Sequence, residues 1–227
     1  MNDEHEELLD QWESKPMHTK NCFIQDGIID PERWSKAKRK ILFINKEAHD
    51  GEIPDPDGFD LRKIILKTRN GVPTRGTYKV VATWAYALHN ASANPADPFP
   101  SWHKIDQDLQ REALLSCAVM NIKKSRGKTS SLHNDLETFV KEDGLFIKKQ
   151  VDLINPDIIV CGHVWYLIQH LWSDCRQVYD DVFEVEADGR TFIAFWHPAN
   201  HAPEQMNYYA LAALLQNSKA LARYSIS

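Results

Sequence analysis

The sequence lacks the marks of several protein classes at once. Its 227 residues include four cysteines, Cys22, Cys117, Cys161 and Cys175, with no Cys-x-x-Cys pair, so structural zinc or an iron–sulfur cluster has no framework. Cys117 and Cys161 stand in apolar runs, as buried reduced thiols do, and a disulfide framework is not expected. No apolar run approaches the roughly 20 residues of a membrane helix. The opening Met1-Asn2-Asp3-Glu4 is acidic and unlike a signal peptide, so a cytoplasmic protein without a membrane partner is expected. Positive charge is not in excess either. Lys and Arg number 27 against 32 Asp and Glu, a formal net charge of −5, which argues against a generally basic nucleic-acid coat but allows a local basic groove. One missing glycine also matters. Gly127-Lys128-Thr129 ends like a phosphate loop, but Ile122 stands where the upstream glycine belongs, which disfavours a nucleoside triphosphatase.

What is present is an ordinary globular composition, 43% hydrophobic and 26% charged, in a chain long enough for one domain over 1–227. Four short apolar runs, Lys40 to Ile44, Ser116 to Asn121, Asp157 to Cys161 and Thr191 to Trp196, alternate with helical stretches. That alternation reads as parallel strands in a three-layer α/β/α sandwich. Residues 1–34 read as an N-terminal extension with a short helix around Glu6 to Trp12. Residues 51–104 read as a helical insertion near the site, its best helix being Tyr78 to Leu88. Ile147, Val151 and Ile154 recur at helical spacing before Asn155-Pro156 stops the helix. A hairpin-like piece lies near Val182 to Val185, and a terminal helix runs from about Gln205 to Ala222.

Ligands of open parallel sheets bind beyond the carboxyl ends of the strands. Chemistry should therefore converge from Glu47, Asp50, Asn121 and His197. A carboxylate there can stabilise an oxocarbenium-like centre or activate water; it can equally cap a helix. A histidine held by Pro198 can donate to charge developing on a leaving group, or serve as a structural hydrogen-bonder. Asn121 can read a base edge with donor and acceptor, or cap a strand end. Lys123, Lys124, Arg126 and Lys128 form a basic strip suited to backbone phosphates, or a plain solvated loop. His197 and His201, with His49, are an alternative metal set, weakened by Pro198 and by the missing acidic partner. Trp84, Trp102, Trp165 and Trp172 read as core.

The ordered motifs resemble the uracil-DNA glycosylase superfamily. Ile41-Leu42-Phe43-Ile44-Asn45-Lys46-Glu47-Ala48 is similar to the first catalytic motif, and Ala118-Val119-Met120-Asn121-Ile122-Lys123-Lys124 to the second strand. Phe195-Trp196-His197-Pro198-Ala199 is similar to the His-Pro-Ser block, and Leu153 to Gly162 to a structural stretch between them. The first loop departs from the Gly-Gln-Asp-Pro-Tyr and Gly-Glu-Ala-Pro-Gly forms of uracil enzymes, Ala199 replaces the last serine, and the cysteines do not reproduce the iron–sulfur ligands of one branch.

The resemblance implies a central four-stranded parallel sheet and a DNA glycosylase acting as a monomer on a base rotated out of the duplex. It implies Glu47 as the carboxylate nearest the sugar, with Asp50 its rival or helper, and His197 stabilising the departing base. Asn121 and Asn45 would read that base. Lys46, Lys123, Lys124, Arg126, Lys128 and Thr129 would hold phosphates, and Asn200 and His201 would approach the DNA backbone. No metal or other cofactor is required. Diverged prokaryotic relatives remove glucosylated 5-hydroxymethylcytosine from viral DNA as an antiphage defence, so a hypermodified cytosine in phage DNA is the expected substrate. Uracil repair and a non-catalytic nucleic-acid-binding module remain the alternatives.

Overall fold

The computed structural model describes residues 3–18, 22–49, 59–68, 76–127 and 133–225. Along the chain, α1 (Asp3–Glu13), β1 (Ile24–Gln25), β2 (Gly27–Ile28) and α2 (Pro31–Lys36) lead into β3 (Ile41–His49). Then come β4 (Phe59–Asp60), α3 (Leu61–Lys67), α4 (Thr77–Asn90), α5 (Gln107–Leu115) and β5 (Ala118–Gly127). The second half holds α6 (His133–Ile154), β6 (Ile158–Gly162), α7 (Trp165–Ile168), β7 (Cys175–Tyr179), β8 (Val182–Val185), β9 (Thr191–Phe195) and α8 (Glu204–Asn217).

Local chemistry sets the boundaries. Asp30 caps α2 by accepting from the Glu32 and Arg33 amides, with Pro31 in the first turn, where its missing N–H costs nothing. Asp106 caps α5 by accepting from Leu109 N at 2.8 Å. The helix α6 ends at Asn155, which takes a φ of 50° ahead of Pro156, a left-handed conformation that asparagine tolerates better than most residues.

The sheet has seven strands in the order β2-β5-β3-β6-β9-β8-β7. Its centre, β5-β3-β6-β9, is the expected set of four parallel strands. The edges are antiparallel, β2 on one side and the β8–β7 hairpin on the other, so the four-strand expectation covers the centre but not the whole sheet. Successive residues of β3 point to opposite faces: Ile41 and Phe43 pack with α4, α5 and α8, while Leu42 and Ile44 pack with α1, α6 and α7. Helices therefore cover both faces.

Two segments are more closely built into the domain than their polar flanks suggest. The first 34 residues pack on the domain and go further than an extension would: they supply edge strand β2 and bury Leu8, Leu9 and Trp12. Within 51–104, α4 is not an insertion but a layer helix, with Val81, Trp84 and Leu88 fully buried in the main core. Polar flanks at both segments disguised apolar stripes that only packing exposes. No helix among the described residues is long and apolar enough to cross a membrane.

Candidate functional site at the carboxyl edge

The connections after β3 and β6 leave on opposite faces, α4 covering one and α7 the other, and such a divergence opens a crevice at the carboxyl ends. Asn45 and Asn121 are register partners on the adjacent strands β3 and β5. They are 3% and 1% exposed, and the side-chain amide nitrogen of Asn45 has no hydrogen-bond partner. The Tyr78 hydroxyl, from the first turn of α4, lies beside the Asn121 amide, and burial and then the charge of Asp26 push its pKa far up. Tyr78 was not among the expected site residues. Its only sequence signal is a polar-tipped aromatic opening an apolar helix.

Asp26 explains how Asn121 is held. The β2 ladder stops at Gly27 and Ile28, which leaves the outward N–H of Asn121 without a strand partner. The Asp26 carboxylate takes that N–H at 2.8 Å, and it also accepts from Lys124 Nζ and from Gln150 Nε2 at 2.9 Å. Lys124 is fully buried; burial draws its pKa down and Asp26 offsets this only in part. It therefore cannot reach a phosphate, contrary to expectation.

Lys123 is also committed within the protein. Its ammonium lies 2.9 Å from Glu47 Oε2 and bonds Asp135 as well. Burial pulls its pKa down, but bonds to Asp135 and Glu47 outweigh that and leave it raised. The Glu47 side chain is 5% exposed and its ion-pair partner lies on β5. Both lysines were expected on DNA phosphates. They turn inward because β5 runs to Gly127 as a strand, with a register shift in β3 between Glu47 and His49, rather than opening into a loop after Asn121.

His197 is placed by a tight turn. Pro198 occupies the second position of the turn His197–Asn200, which Asn200 N closes by donating to His197 O at 2.9 Å. The Ala199 N–H donates to His197 Nδ1 at 3.1 Å, so the neutral ring carries its proton on Nε2 and presents it as a donor. Burial first, then the charge of Lys46 and the neighbouring His163, push the His197 pKa down to about 4. Lys46 thus sits with the two imidazoles. His163 was likewise unexpected. It has a φ of 58°, and its N–H reaches Phe195 O at 2.7 Å, tying the end of β6 to the end of β9.

Gly162 joins the two halves. A Cβ there would run into the Asn45 side-chain oxygen and lie 3.2 Å from Pro198 Cδ, so only glycine allows this close approach. Asn45, Asn121, Tyr78, Lys46, His163 and His197 are therefore assembled around the ends of β3, β5, β6 and β9. Glu47 stands at the β5 flank, in its own ion pair.

The remaining expected residues divide. The Asn200 amide donates to His197 O at 2.7 Å, and its oxygen accepts from Ala202 N and Asn207 Nδ2, so it clamps the histidine turn rather than facing a phosphate. His201 is exposed and Arg126 lies in the last part of β5. Asp50, Lys128 and Thr129 lie outside the described residues. Among the described residues, no group of three or more His, Cys, Asp and Glu side chains is arranged to hold a metal ion. In comparisons with known proteins, no protein-family model and no curated protein matches the chain.

Proposed function

We propose that the protein is a DNA N-glycosylase: it cleaves the bond between C1′ and the ring nitrogen of an extruded base and leaves an abasic site. One observation carries the reading. Asn45 and Asn121 lie buried side by side on adjacent strands, the Asn45 amide nitrogen has no partner, and Gly162 lies against both the Asn45 side chain and Pro198 of the turn that carries His197, whose Nε2–H is a donor. An unmet buried donor costs about 1–3 kcal/mol, and a base edge, with its carbonyls and ring nitrogens, would satisfy it. As the glycosidic bond lengthens, its electron pair moves onto the base, and charge grows on an exocyclic carbonyl oxygen of that base. His197 donates to that oxygen without needing to be charged. Glu47 would turn from its Lys123 partner to face the positive charge on the sugar or to take a proton from water, whose oxygen then bonds C1′. Asp50 is the rival for that role.

The base is a modified cytosine, with glucosylated 5-hydroxymethylcytosine of phage DNA the first choice and antiviral defence the context. This rests on the resemblance and on a first loop, Asn45-Lys46-Glu47-Ala48, unlike that of uracil enzymes. The Glu47–Lys123 ion pair favours one competitor, a module that binds nucleic acid without cleaving it. A mass-spectrometric screen for free bases released from genomic DNAs of differing modification, phage and uracil-containing DNA included, separates these readings. A single released base is expected, lost in Glu47→Gln and His197→Ala. Release of none, with DNA still bound, leaves the silent module; unchanged release in both variants removes the assigned roles.

A further inference from the structure

Beside His163 the surface opens into a cleft of about 580 Å³, within the size range of small-ligand sites. Its walls carry three of the protein's exposed large aromatics: Trp196 at 61%, Tyr166 at 44% and Tyr179 at 37% exposure. They come from three elements, the segment after β9, helix α7 and the β7 end of the hairpin. Such rings usually seek cover, and three around one recess are not accounted for by the core. Tyr166 is also held in orientation, since His133 stacks on it at 5.6 Å and 18°. The buried part of the lining includes Cys161 and Phe195, and Asp180 and Asp181 are exposed at its edge. Among the described lining residues there is no lysine or arginine. Aromatic walls, a buried apolar lining and an acidic edge suit an uncharged flat ring and repel a phosphate. Continuity with the candidate site is covalent: Trp196 precedes His197, and His163 lines the cleft while lowering the pKa of His197.

We propose that this cleft holds the unpaired base next to the target nucleotide, so that the preferred substrate is single-stranded DNA, or DNA opened at the target, rather than intact duplex. The inference rests on the glycosylase reading for the identity of the polymer. A base held in a duplex stack cannot enter a recess walled by aromatics, whereas an unpaired one gains stacking on Trp196. The aspartates accept from exocyclic amino groups, which cytosine and adenine offer and thymine does not.

The test uses the full chain with fluorescently labelled oligonucleotides: single-stranded, duplex, and single-stranded with a base-less spacer at each position flanking the target. Single strands should bind more tightly than duplex, and a spacer at one flanking position should weaken binding about tenfold. Trp196→Ala and Tyr179→Ala should cause a similar loss and abolish the spacer effect, while Trp196→Phe should keep most of the affinity. Binding and base release indifferent to the spacers and to both alanine variants would overturn the subsite while leaving the glycosylase reading intact. Loss confined to targets carrying a glycosyl group, with no spacer effect, would assign the cleft to the target nucleotide and overturn stacking. No affinity for any DNA would overturn both proposals.

Discussion

At the β5 flank of the carboxyl edge, charge is answered by charge within the protein: Asp26 holds Lys124 and Gln150, and Lys123 spans Glu47 and Asp135. At the β6–β9 flank, Lys46 faces two imidazoles it can only repel once they are protonated, and three aromatic side chains stand open to solvent. The first flank is a frame whose polar groups are spent on holding strands in place. The second keeps donors and ring faces available. Asn45 and Asn121 lie between, the Asn121 N–H held by the frame and the Asn45 amide nitrogen without a partner. A residue type therefore says little about its role here: lysines on β5 brace the fold, and the lysine on β3 tunes a histidine.

The sharpest way to break this contrast is to remove one member of the buried pair. Asp26→Ala should cost about 3–5 kcal/mol, because it strands a buried ammonium and orphans the Asn121 N–H; urea unfolding reads the loss. The double variant Asp26→Leu with Lys124→Met should recover much of it. A single variant costing under about 1 kcal/mol would mean that the β5 flank is solvated after all. On the other flank, His197→Ala should leave the unfolding midpoint nearly unchanged and lower base release about 10²–10³-fold, the usual loss for one oxyanion donor.

A smaller effect should follow at the junction. Gly162→Ala places a methyl against the Asn45 carboxamide, and overpacking of this kind costs roughly 1–3 kcal/mol. Its functional signature is a raised KM, since the displaced group is the one assigned to the base edge. Equal KM values for Gly162→Ala and the wild type would detach Asn45 from binding.

The central architecture was legible because its signals are local. Apolar runs such as Ile41 to Ile44 and Ile158 to Val160 carry strand propensity, and Asn155-Pro156 stops a helix regardless of tertiary context. His197 was legible for the same reason, as Pro198 imposes the turn. The roles of Lys123 and Lys124 were not. Whether a lysine after a strand meets solvent or a carboxylate depends on where Asp26 and Asp135 arrive, and those lie 98 and 12 residues from their partners. Tyr78 escaped for the same reason: only the packing of α4 brings it to Asn121. Sequence periodicity reports which face is apolar, not which polar tips meet above it.

The finest test of the two-flank contrast is titration. His197 falls from the ordinary 6.5 to about 4, driven by burial and then by Lys46 and His163, and His89 falls to about 4 through burial and then Arg39. In the unfolded chain both return to about 6.5. Between pH 6.5 and 4 the unfolded state therefore binds more protons, so stability is fully present above the upper value, falls as pH drops through the window, and levels off below the lower one. The urea midpoint should be lower at pH 4.5 than at pH 7, and His197→Ala should reduce that drop by at most ~3 kcal/mol. Lys46→Ala should raise the His197 pKa seen by NMR, because one of its causes is gone, and should carry any acid limb of base release upward with it. An unshifted His197 in the folded wild type would mean that water screens the β6–β9 flank as fully as an open surface, and the neutral Nε2–H donor would have no structural basis near pH 6.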